Sequence, residues 1–292
     1  MGYLFHVLCL ILVWATVGAA YLPVAGRGRI FLVCPATFVG LGAYCYALFA
    51  TGWRLGMSEG VAFCIGLCFA AIMVAGLALV ISRFWYDDLI VSTFAVQMMF
   101  TSALVNWRSL TGGSLGVGGF GLAVSGYTAL FIPLALCLLL ALCHLLYYRR
   151  YSPLRMALSV MGEDPVVCAS CGIPLGKVRR LALQLSGLIV CFAGGVYAAL
   201  EGYLTPLSFD LSESVGFLCV VLIAERSASI WACLGGAFLM IGTPEALRGI
   251  GLPPGWIGHI QRLIFGSVLL VWALMREGAK KGGGPHGPGL SG

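Results

Sequence analysis

The sequence predicts an all-α, polytopic transmembrane helical bundle of about nine spans, and three observations carry that prediction. Hydrophobic residues fill 60% of the 292 positions and charged residues only 10%, against roughly 25% charged in soluble domains. Mean hydropathy is +1.00. Apolar runs of about twenty residues recur along the length, each long enough to cross a hydrocarbon core of roughly 30 Å as a helix. The runs are continuous and lack the period-two alternation of barrel strands, so helices are the means by which the backbone satisfies its hydrogen bonds in lipid.

Taken in chain order, the expected spans are Leu4–Tyr21, Ile30–Ala50, Glu59–Ser82, Asp88–Asn106, Gly126–Tyr148, Leu181–Leu200, Glu213–Ala224, Ser227–Thr243 and Gly258–Met275. The seventh and eighth are the weakest. "VGAAY" near the end of the first offers small residues where a leader could be cleaved, but no basic stretch precedes it, so a retained span is expected. Nine spans place the ends of the chain on opposite faces. Arg27, Arg29, Arg83, Arg149, Arg150, Arg155, Lys177, Arg179, Arg180, Arg226, Arg276, Lys280 and Lys281 then share one face, whereas Arg54, Arg108, Arg248 and Arg262 share the other. Cytoplasmic loops collect Lys and Arg, so the N-terminus is expected outside and the C-terminus inside. Residues 1–276 form the expected membrane domain, with a cytoplasmic loop over 149–180. The Gly- and Pro-rich segment 277–292 reads as a disordered cytoplasmic tail.

Residue chemistry removes several function classes. Most of the twelve cysteines, including Cys9, Cys64, Cys68, Cys137, Cys191 and Cys219, sit inside apolar runs, where a thiol packs as a small hydrophobe. Cys168 and Cys171 form a C-x-x-C without a second pair of ligands, so no metal site is expected. His6, His144, His259 and His286 are scattered. "GIPLGKV" (172–178) is one spacer short of a phosphate-binding loop and carries Val178 where a magnesium-binding hydroxyl belongs. No catalytic constellation and no cofactor are expected in this chain. The acidic residues Glu59, Asp87, Asp88, Glu201, Asp210, Glu213 and Glu225 fall at span ends, which gives proton coupling within the spans little support.

The loop "GEDPVVCASCGIP" (162–174) is punctuated more carefully than a plain connection requires. Asp164 is a good N-cap, Pro165 suits the first helical position, and Glu163 with Asp164 complements the positive helix start. Gly172 fits the left-handed position after the last turn and Pro174 prevents continuation. Residues 165–171 therefore read as a separately capped helix, too short to hold alone. It is either an interfacial helix or one docked into a partner.

Three segments, in order, carry a family resemblance. "ATFVGLGAYCYALFA" (36–50) resembles the "GxGAY" second-span signature of LivM-type branched-chain amino-acid permeases. "NWRSLTGGSLGVGGF" (106–120) is similar to the Asn-x-x-x-x-Thr-Gly-Gly-x-x-Gly outer loop of that family. "RMALSVMGEDPVVCASCGIPLGKVRRLALQLSGLIVCFAGGVYAAL" (155–200) follows its cytoplasmic coupling loop and next helix. The likeness runs from about residue 30 to 276. It implies a multi-pass subunit of the bacterial-type inner membrane that belongs to an ABC importer, with Glu163, Asp164, Pro165, Ala169 and Gly172 in the helix that couples it to the ATPases. The implied partners are a homologous second permease, two cytoplasmic ATPase subunits that bind ATP and magnesium, an extracytoplasmic solute-binding protein and the bilayer, with no nucleic acid. The implied substrate is a branched-chain or other hydrophobic amino acid, with urea or a short-chain amide as the alternative within the family.

Other readings stay open at this point. Gly40 and Gly42 permit close helix approach or line a pathway, and Tyr44 faces that pathway or the bilayer interface. The loop with Gly112 and Gly113 docks a partner or simply connects. One departure stands out: "VVLIAERSASIWACLGGAF" (220–238) keeps Ser229, Trp231 and Gly235 but carries Glu225, Arg226, Ala232 and Cys233 where the family has a Gly- and Pro-rich line. Loss of those glycines is expected to stiffen or separate that helix pair. An ion-coupled carrier without ATPases and a non-transporting scaffold are the competing classes.

Overall fold

The computed structural model describes residues 3–51, 59–84, 86–120, 126–144, 152–225, 227, 229–249 and 254–282. Arg54, Arg149, Arg150, Arg226 and the end of the tail lie outside them. The described chain is a bundle of α1 (Tyr3–Leu22), α2 (Pro35–Thr51), α3 (Glu59–Ile81), α4 (Tyr86–Asn106), α5 (Arg108–Thr111), α6 (Gly126–Cys143), α7 (Pro153–Glu163), α8 (Pro165–Ser170), α9 (Leu175–Glu201), α10 (Leu211–Glu225), α11 (Ile230–Gly249) and α12 (Pro254–Gly282). Six helical segments among the described residues are long and apolar enough to cross a membrane, and the two weak runs at 206–225 and 230–248 are among them. Pro35–Thr51 and Ile132–Cys143 are shorter apolar helices. A two-residue ribbon, β1 (Val117–Gly118) with β2 (Tyr203–Leu204), pairs Val117 with Leu204 and Gly118 with Tyr203.

Helix α1 stands in the core, packed against α6, α9, α10 and α11, because its second half is a continuous small and apolar run from Val13 to Leu22 that is buried throughout. A Cβ at Gly18 would come within 2.7 Å of Val220 on α10. The tightest crossing joins α2 and α9. There a Cβ at Gly42 would collide with the carbonyl of Cys191, and one at Gly194 with the carbonyl of Val39. Reciprocal glycines of this kind let two backbones touch, which replaces the hydrophobic drive that lipid does not supply between helices. Helix α10 packs against α11, with Gly236 lying against Val220. The pair therefore stays together despite Ala232 and Cys233, and Cys233 is itself fully buried in it.

Element boundaries depart from expectation where backbone chemistry overrides hydropathy. The second helix begins at Pro35 rather than Ile30, since Arg29 takes a positive φ of 50° and residues 28–34 are tied elsewhere, Ile30 N–H to Val24 and Val33 N–H to Thr93 Oγ1. The sixth expected span starts earlier, at Leu175, so Lys177, Arg179 and Arg180 occupy its first turns. The last helix continues to Gly282, past the tail boundary placed at residue 276. Glu277, Ala279, Lys280 and Lys281 are good helix formers and the triple glycine is not.

Two ends are clear. At one, α7 rests on the turn that follows α1, with Gly162 so close to the Arg27 carbonyl that a Cβ would overlap it. At the other, the C-terminus of α9 leads through Gly202 into the β-ribbon. The 27 residues of α9 separate these ends by roughly 40 Å.

Candidate functional site

The capped loop forms as its residues dictate. Asp164 accepts N–H bonds from Val166 at 2.8 Å and Val167 at 3.2 Å through Oδ1, and Pro165 opens α8. At the other end Gly172 has φ of 75°. Its N–H donates to Ala169 and that of Ile173 to Cys168, the paired bonds of a Schellman cap. Cys168 is fully buried and anchors the inner face, while Val166 is 77% and Val167 49% exposed. Glu163, Asp164, Ala169 and Gly172 are also exposed. Two valines aimed outward from a short, well-capped helix form an apolar knob on a polar loop. A void of about 210 Å³ lies behind it, lined in part by Arg29, Glu163, Pro165 and Arg179.

The glycine-rich loop at the opposite end is also a built structure. Thr111 Oγ1 donates to the carbonyls of Leu104 and Trp107, Gly112 and Gly113 both have positive φ, and Gly116 lies against the Leu204 carbonyl. Tyr203 OH bonds the Leu115 carbonyl. Gly40 and Tyr44, one turn apart on α2, both meet Phe209. A Cβ at Gly40 would be 3.1 Å from that ring, and the Tyr44 ring stands 5.7 Å from it, edge on. Gly42 faces α9 instead.

Phe209 belongs to a segment that hydropathy hides. After β2 comes a 3₁₀ turn over Pro206–Phe209, and α10 by itself spans 15 residues, roughly 22 Å, so the apolar segment 206–225 reaches spanning length only with that turn. Its start meets the start of α2 on Gln97, which sits in the middle of α4 and is fully buried. Gln97 Oε1 accepts from Thr37 N–H at 3.2 Å, Thr37 Oγ1 at 2.8 Å and Ser214 Oγ at 2.9 Å. Its Nε2 donates to the Phe209 carbonyl at 2.7 Å, and Ala36 N–H donates to Ser214 Oγ. The first-turn donors of α2 are thus satisfied inside the bundle by side chains of α4 and α10, as helix starts within a membrane protein require. The sequence signal was a lone amide in "STFAVQMMF", inside an otherwise apolar run.

Above this junction lies a cavity of about 280 Å³ between α1, α9, α10, α11 and α12. Trp14 and Phe217 line it, with ring centroids 4.3 Å apart. Glu201, Glu213 and Glu245 line it too, together with Arg248. Arg248 pairs with Glu245 at 2.6 Å and His6 with Glu201 at 3.3 Å. The fold therefore gathers two carboxylates that the sequence reading assigned to separate span ends, and adds a third. Among the described residues no three His, Cys, Asp or Glu side chains could hold a metal ion.

A many-helix membrane bundle with a capped knob at one end, a built loop at the other and polar junctions inside it is the architecture of a membrane transport protein. The family described as branched-chain amino acid transport system / permease component matches residues 3–273, and the chain belongs to it. It is a permease subunit of an ABC importer, a non-catalytic multi-pass protein of the bacterial-type inner membrane. Over 299 residues it is 24% identical to the high-affinity branched-chain amino acid transport system permease protein LivM of Escherichia coli (strain K12), covering 91% of this chain and 67% of that protein. The LivM protein of Salmonella typhimurium is 24% identical over 295 residues, with the same two coverages. Among solved structures, PsaBC from Streptococcus pneumoniae in complex with Fab is similar at a TM-score of 0.48 and 16% identity, covering 91% of this chain and 89% of that one.

Proposed function

We propose that the chain forms half of an import pathway for branched-chain or other hydrophobic amino acids. The relatives named for that transport support this substrate class. In this reading the chain crosses the membrane nine times, with its N-terminus outside and its C-terminus inside. Residues 1–276 form the membrane domain, and the rest is a cytoplasmic tail. The outward knob of α8 is the observation that carries the mechanism. Glu163, Asp164, Pro165, Ala169 and Gly172 hold Val166 and Val167 where an ATPase groove can take them, in the manner of a helix docked by its apolar side. ATP and magnesium are bound by two partner ATPases. Their closure pushes α8, and α7 transmits the push to the turn after α1 through the Gly162 contact.

The remaining assignments follow the same reading. A homologous permease completes the pathway, and a solute-binding protein docks on the loop built around Gly112 and Gly113. Gly42 sets the α2–α9 approach, and Gly40 and Tyr44 position Phe209 beneath that loop.

ATP hydrolysis by the chain reconstituted with its second permease and ATPases tests this reading. Leucine-loaded binding protein is expected to stimulate hydrolysis several-fold, and Val166→Asp is expected to abolish the stimulation. An assembled complex that responds to urea-loaded protein instead would change the substrate. One that responds to neither would overturn the importer mechanism.

A further inference from the structure

The cavity between α1, α9, α10, α11 and α12 has an unbalanced charge. Its lining holds three carboxylates against one guanidinium. Arg248 is already engaged by Glu245, and Glu201 pairs with His6. Glu213 makes no side-chain hydrogen bond or ion pair among the described residues. Its backbone N–H donates to Asp210 Oδ1 at 3.0 Å, and so Glu213 stands in the first turn of α10. Glu213 is half-buried in the lining; the positive end of that helix favours its ionised carboxylate, and an ionised carboxylate inside a membrane bundle calls for a counter-charge. The apolar wall of the cavity, Trp14 with Phe217 and the side chains of Leu10 and Val13, offers ring faces that attract cations. A volume of about 280 Å³ sits at the small end of ligand sites, which run roughly 300–1,000 Å³.

We infer that this cavity binds a primary organic ammonium carried on a small apolar body, with Glu213 as the counter-ion and Trp14 and Phe217 packing the body. The ammonium comes from an amino acid on its way inward or from a free amine. A carboxylate ligand finds no unengaged cation among the described lining residues. The inference rests on the geometry of a single subunit and not on ATPase coupling.

The test is calorimetric titration of the full chain in lipid nanodiscs with three probes of matched shape: 3-methylbutylamine, leucine and 3-methylbutanoate. The amine is expected to bind and 3-methylbutanoate is not. Glu213→Gln is expected to weaken amine binding at least tenfold, Glu201→Gln to weaken it less, and Asp88→Asn, on the opposite side of the bundle, to leave it unchanged. Thermal melting confirms that each variant is folded, and Glu201→Gln gives a second reading if Glu213→Gln is not. Leucine binding beside the amine assigns the site to the transported molecule, and amine binding alone assigns it to free amines. Absence of amine binding, equal binding of 3-methylbutanoate, or full affinity in both glutamine variants of folded protein overturns the inference. The importer mechanism is read separately, from hydrolysis by the assembled complex.

Discussion

At the scale of single residues, the capped loop was legible because its structure is local. Asp164, Pro165 and Gly172 state their roles within nine positions of sequence, and each does in the fold what its chemistry implies. Loss of an N-cap costs about 1 kcal/mol, and an L-residue forced into the left-handed region costs roughly 1–2 kcal/mol. Either sum is large for a helix of six residues, too short to stand without its ends. Asp164→Lys and Gly172→Val are therefore expected to lower substrate uptake about tenfold in vesicles while leaving membrane insertion and basal ATP hydrolysis intact. Undiminished uptake in both would remove α8 from the coupling path. Glu213 was illegible by the same logic, since its meaning depends on residues from four other helices. In sequence it opens the expected span Glu213–Ala224 and looks like an interfacial charge. Only the return of residues 203–210 into the bundle carries it to a cavity.

At the scale of elements, hydropathy found all the long helices and misjudged where some begin. A window average sees apolar content. It does not see that Arg29 breaks the backbone before Pro35, or that α10 is short by itself and is preceded by a 3₁₀ turn over Pro206–Phe209. What replaces the missing hydrogen bonds is Gln97, which serves α2, α10 and the Phe209 carbonyl together. Gln97→Leu keeps the volume and removes the side-chain hydrogen bonds of the junction, leaving the Thr37 N–H only the Cys34 carbonyl at 3.2 Å and the Phe209 carbonyl only Thr101 Oγ1 at 3.4 Å among the described residues, at a cost of roughly 1 kcal/mol for each bond lost. The expected result is a melting temperature lowered by several degrees in detergent. Ser214→Ala, which leaves the other Gln97 bonds in place, is expected to cost less. Because the two side chains share one bond, their effects should be less than additive in the double variant. Strict additivity would mean that the junction does not act as a unit.

At the scale of the whole molecule, orientation decides function, because every functional assignment needs the knob and the cavity on opposite sides of the membrane. Internal geometry gives that opposition: α9 alone holds the α7–α8 loop and the β-ribbon roughly 40 Å apart. The distribution of Lys and Arg gives the sign, favouring the α7–α8 end as cytoplasmic. The exposed thiol of Cys171 lies beside α8, and Ser114 is exposed on the glycine-rich loop at the other end. A membrane-impermeant maleimide is thus expected to label Ser114→Cys in intact cells, and to reach Cys171 only in inverted vesicles. Cys64, Cys68 and Cys137 are exposed on the flanks of the bundle but belong to apolar helices. A charged, membrane-impermeant reagent does not enter the hydrocarbon core, so these three should stay unlabelled in both preparations. Reversed labelling would turn the molecule over. The cavity would then open to the cytoplasm, α8 would face away from any ATPase, and an importer coupled through that helix would be physically excluded.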